Sequence, residues 1–75
     1  MEHINFELKG AFIELIQLLK AVSIAQTGGH AKIIVEEGCV NRNGEVETRK
    51  RAKIKAGDKI EVELDSTSIF SIQIN

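Results

Sequence analysis

Residues 3–8 alternate, with Ile4, Phe6 and Leu8 on one side and Asn5 and Glu7 on the other. Alternation at period two predicts a short half-buried strand. Gly10 interrupts it and the period lengthens. Phe12, Leu15, Ile16, Leu19 and Val22 fall on one helical face, which Ile13 and Leu18 widen. Ser23 to Gly29 is a break. Thr27 can accept an orphan amide hydrogen bond, so it predicts the N-cap of a second helix from Gly28 to about Glu37, burying Ala31, Ile34 and Val35. Gly38 suits the left-handed residue that ends such a helix.

Beyond Gly38 the period shortens again. Cys39-Val40-Asn41-Arg42 reads as a strand, Asn43-Gly44 as a hairpin turn and Glu45-Val46-Glu47 as its return. Ala56-Gly57-Asp58-Lys59 marks a second turn. Ile60, Val62 and Leu64 then alternate with Glu61, Glu63 and Asp65, and Ile69 to Ile74 forms a last strand. This order predicts an α+β fold, two antiparallel helices packed on a small, mostly antiparallel sheet. The chain has no proline, low-complexity tract or repeat, so a single domain over residues 1–75 is expected.

At 43% apolar and 28% charged residues the composition is globular. One cysteine excludes an internal disulfide and the paired-thiol zinc spacings. No apolar run approaches the roughly 18 residues of a membrane span. Met1-Glu2-His3 does not open a secretory signal, so a reducing cytoplasm is the expected setting. The net charge of −1 is a cancellation: residues 1–41 carry −2, residues 42–59 carry +4 and residues 60–75 carry −3. A compact positive block is an electrostatic footprint for a polyanion, or else a solvated strand-and-loop face.

Catalytic chemistry finds little support. Cys39 lies at a strand start, where a small buried apolar role suits it. Glu36-Glu37 close a helix, and no carboxylate pair sits on a loop in an acid/base arrangement. Gly28-Gly29 lacks the lysine and hydroxyl of a phosphate loop. The expectation is a non-enzymatic chain without cofactor, metal or small-molecule substrate.

Polyanion binding fits better. Arg49, Lys50, Arg51 and Lys53 put four cations in five positions beyond the hairpin. In an extended segment Arg49, Arg51 and Lys53 share a face at about 6.6 Å intervals, close to the spacing of successive phosphates. Arginine adds bidentate geometry for phosphate oxygens. At the start of the second helix, Gly28 and Gly29 cost roughly 1 kcal/mol each against alanine. Close approach of a ligand backbone, or tight helix packing, would account for them. Lys32 adds a cation beside the free first-turn amides, and His30 is a candidate phosphate or base contact. Phe6, Phe12 and Phe70 all fall on apolar faces, so stacking platforms for unpaired bases are not expected. Recognition would rest on backbone shape and charge, as for folded RNA, with the two cation groups side by side.

Thr27-Gly-Gly-His-Ala31-Lys-Ile-Ile34-Val35-Glu-Glu-Gly38-Cys-Val40-Asn-Arg-Asn43-Gly44, followed by Gly57-Asp58, resembles the S-four RNA-binding domain over about residues 12–64. Leu15-Ile-Gln17, Gly28-Gly29-His-Ala31-Lys32 and Gly44-Glu45-Val-Glu47-Thr-Arg49-Lys50 resemble its small stand-alone bacterial members. The resemblance implies the αL RNA-binding motif and contact with structured RNA, commonly ribosomal or transfer RNA. Many members carry Ser-Arg where this chain has Thr27-Gly28, Arg-Leu-Asp where it has Glu14-Leu15-Ile16, and an apolar residue in place of Arg42. The RNA surface would then lean on Lys32 and the Arg49–Lys53 cluster. A monomer is expected. The rivals are a protein-interaction module pairing through an exposed Ile69–Ile74 strand and a tethering subunit for an RNA-modifying enzyme.

Overall fold

The computed structural model describes all 75 residues. The elements run β1 (Glu2–Phe6), β2 (Ile13–Glu14), α1 (Leu15–Ala21), α2 (Gly28–Glu36), β3 (Val40–Arg42), β4 (Glu45–Val46), β5 (Lys53–Ile54), β6 (Lys59–Glu63) and β7 (Ile69–Ile74). Five strands form one sheet in the order β1-β7-β6-β3-β4, and β2 pairs with β5 in a separate ladder. Only the β1–β7 pairing is parallel. The architecture is the α+β arrangement expected, with the two helices sharing one core with a mostly antiparallel sheet.

The amphipathic patterns account for that core. Leu15, Leu18 and Leu19 of α1 and Ala31, Ile34 and Val35 of α2 join Val40, Ile60, Val62, Ile72 and Ile74 in a cluster of 15 buried residues. Burying each large aliphatic side chain contributes about 1.5–3 kcal/mol before entropy is counted. The punctuation is local. The Thr27 hydroxyl accepts the His30 N–H at 3.0 Å and caps α2. Gly38 has φ of 77° just past its end. Asn43 (φ 52°) and Gly44 (φ 90°) take the doubly positive backbone that a two-residue hairpin turn of this type needs.

Two expectations are corrected, and one rival reading loses its basis. First, α1 begins at Leu15, not near Phe12, because Ile13 and Glu14 pair with Ile54 and Lys53. Their apolar spacing fits either period, and the ladder wins. Phe12 is consequently 41% exposed instead of on a core face. Secondly, the strand expected over residues 3–8 is β1, Glu2–Phe6; Leu8 still donates its N–H to the Asn75 carbonyl at 2.9 Å. Thirdly, Ile69–Ile74 is no free edge. β7 lies between β1 and β6, with Ile72 and Ile74 buried, so the feature that suggested a partner strand is used up within the chain.

Candidate nucleic-acid interface

The basic segment is anchored by its own alternation. Ala52 and Ile54 are buried, whereas Arg51, Lys53 and Lys55 between and beside them are exposed. Backbone bonds add to the anchoring. The first amides of a helix have no partner within it. In α1 the Leu15 N–H donates to the Ala52 carbonyl at 3.0 Å and the Ile16 N–H to the Lys50 carbonyl at 3.1 Å. The start of α1 therefore holds the segment from behind while its cations face outward.

The outward row differs from the one the sequence suggested. The Ala52 N–H closes onto the Arg49 carbonyl at 3.1 Å, which puts a turn at Lys50-Arg51. Arg49, Arg51 and Lys53 are not on one straight strand. The outward cations are Arg51, which ends that turn, then Lys53 and Lys55, about 6.6 Å apart where the backbone is extended. These three line an open concavity of about 420 Å³ together with Arg42 and Arg49. Lys50 is half-buried and does not line it.

The cations of this concavity are not equivalent. Arg42 spends its guanidinium on the fold: Nε and Nη2 donate to Asp58 Oδ2 at 3.2 and 2.9 Å, and Nη2 also donates to the Lys53 carbonyl at 2.7 Å. Asp58 further accepts the Lys55 N–H at 2.8 Å and the Asn43 amide at 3.0 Å. Burial alone would raise the Asp58 carboxyl. These donors outweigh it, so its pKa lies below the ordinary 3.8. Arg49 forms a fork on buried Glu47, with Nε and Nη2 at 3.0 and 3.1 Å. That hydrogen bonding outweighs desolvation and holds Glu47 below its ordinary 4.5. Arg42 and Arg49 are thus charge-balanced, although Arg49 remains 75% exposed. Arg51, Lys53 and Lys55 form no ion pair.

The second group sits at the start of α2. Gly28 is half-buried, and Gly29, His30 and Lys32 are exposed. They line no concavity in common with the row; α1 packs against α2 and bonds to the 50–52 backbone. A side chain at Gly28 would meet nothing within 4 Å, and one at Gly29 only Thr27 Oγ1 at 3.9 Å. Packing within the chain therefore does not require either glycine. His30 has a structural contact, its Nδ1 accepting the Gln26 N–H at 3.4 Å while its own N–H goes to Thr27. This is a variant of the capping box, in which the imidazole accepts from the N–H one residue before the Thr27 cap instead of from the cap itself.

Sequence reasoning missed Lys55 and the role of Arg42. The alternation Arg51-Ala52-Lys53-Ile54-Lys55 was the available signal for Lys55. Nothing local announces Arg42, whose partner Asp58 lies 16 residues away.

Comparison with known proteins agrees with this architecture. The solution structure of YbcJ from Escherichia coli, described as revealing an αL motif involved in RNA binding, superposes with a TM-score of 0.64 at 37% identity. The match covers 92% of this chain and 85% of that one. Among curated sequences, the Escherichia coli protein named "Putative RNA-binding protein YbcJ" is 46% identical over 52 residues, 69% of this chain and 74% of its own length. The Shigella flexneri YbcJ matches to the same extent. The family model described as S4 domain matches residues 6–70. With that span inside the model's reach, the chain belongs to the S4 domain family.

Proposed function

We propose that this chain binds structured RNA without catalysis, as a single monomeric domain, using the Arg51–Lys53–Lys55 row as its main phosphate contact. One observation carries the reading. Three cations without an ion pair alternate with buried Ala52 and Ile54, so their backbone is anchored while their charges face solvent. Arg49, exposed beyond its bonds to Glu47, keeps further guanidinium N–H groups that a phosphate oxygen can accept from. Lys32 and the amides of Gly28 and Gly29 form a second, smaller anion contact, with open space above the glycines for a sugar-phosphate backbone. The relatives' names and the αL motif of the Escherichia coli structure support RNA as the polyanion. Ribosomal or transfer RNA in the cytoplasm is the class the family points to.

Salt titration tests this. Neutralising three to five phosphates gives a log–log slope of roughly −2 to −4 for affinity against salt. Replacing Arg51, Lys53 and Lys55 together by alanine should flatten that slope by about two units. An unchanged slope and affinity for folded ribosomal or transfer RNA would remove the row from the interface.

A further inference from the structure

Phe12 is the one large aromatic ring the fold leaves in solvent, 41% exposed, while Phe6 and Phe70 pack against the core. A single exposed apolar side chain is ordinary. Its surroundings are not. The Lys53 ammonium lies 5.0 Å from the centre of the ring, within cation–π range. The ladder explains how they meet. Ile13 pairs with Ile54 and Glu14 with Lys53. Side chains alternate across a strand, so with Ile13 and Ile54 turned to the core the register, continued by one residue, sets Phe12 opposite Lys55 on the outer face. The Lys53 ammonium therefore sits over one face of the ring, and the register places the Lys55 backbone across from Phe12, on the support that β5 and the start of α1 provide.

We infer that Phe12 is a stacking platform for one unpaired nucleobase, which rests on the ring face away from the Lys53 ammonium while its flanking phosphates reach Lys53 and Lys55. The inference rests on the RNA-binding reading and narrows its ligand to RNA with an unpaired base beside a helical segment. Charge complementarity favours this occupant. An aromatic face bordered by cations suits a base carried on an anionic backbone, and base–aromatic stacking is tolerant of base identity. The expectation that no stacking platform exists rested on Phe12 lying on an apolar face, and its 41% exposure removes that ground.

The chain contains no tryptophan or tyrosine, so Phe12→Trp introduces a single indole reporter. The probes are an RNA stem-loop and a blunt, fully paired duplex of the same stem. Phe12→Leu keeps an apolar side chain but removes the face; the ratio of stem-loop to duplex affinity should fall by about 5- to 100-fold. Phe12→Trp should keep the wild-type ratio, with its fluorescence quenched by the stem-loop and not by the duplex. An unchanged ratio in Phe12→Leu, or equal quenching by both RNAs, overturns the platform while leaving the phosphate row standing. Failure of the wild-type protein to bind either RNA in a salt-dependent way would remove the parent reading, and the platform with it.

Discussion

Thr27 and the two glycines after it show how much a single position can say. The Thr27 cap, the left-handed Gly38 and the Asn43-Gly44 turn were legible because each follows from a residue's own backbone preference or nearest hydrogen bond. Gly28 and Gly29 were legible as anomalies, but not as to cause, until the space around them was known. That space decides the experiment. Alanine at either position meets no obstructing atom of the chain. Gly28→Ala and Gly29→Ala should therefore leave the fold intact and raise its stability, by up to about 1 kcal/mol each in urea denaturation. RNA affinity should fall in the same proteins if a ligand backbone uses the vacant space. Greater stability with undiminished affinity would show that α2 does not meet RNA at its start.

Elements of two or three residues are where sequence periodicity loses its grip. Phe12 and Ile13 suit a helix and a strand equally well. The choice is made by Ile54 and Lys53, some 40 positions on, through a ladder that no local pattern contains. The Lys50-Arg51 turn is hidden for the same reason, since its role is to present carbonyls to the first amides of α1. Asp58 ties these short pieces together by accepting from Arg42, Asn43 and the Lys55 backbone. Asp58→Ala would remove the acceptor shared by Arg42, Asn43 and the Lys55 backbone at a half-buried site. We expect a loss of about 2–3 kcal/mol in urea denaturation, more than a typical surface carboxylate contributes. A loss below about 0.5 kcal/mol, the usual surface effect, would mean that the β5 region is held by Ala52, Ile54 and its backbone bonds to β2 and α1 without help from Asp58.

At the scale of the whole molecule the first and last strands lie side by side and the charges are gathered by position, neither of which a linear reading resolves. The +4 block of residues 42–59 holds both kinds of cation: those balanced by Glu47 and Asp58, and those left free. That division makes the share of stability carried by the two carboxylates testable by pH. Both carboxyls lie below their ordinary values of 4.5 and 3.8 in the folded chain. The unfolded chain therefore takes up protons first as pH falls. Their contribution to stability is complete above those ordinary values and is lost as pH drops through the lower folded ones. Arginine and lysine keep their charge throughout this range. Wild type should thus be more stable than Glu47→Gln/Asp58→Asn at pH 7, with the gap closing in acid below about pH 4. Urea denaturation of both proteins at a series of pH values measures it, and the double variant serves as the control for the remaining acidic residues. A gap that persists undiminished into strong acid would mean that hydrogen-bond geometry, not carboxylate charge, holds the basic segment in place.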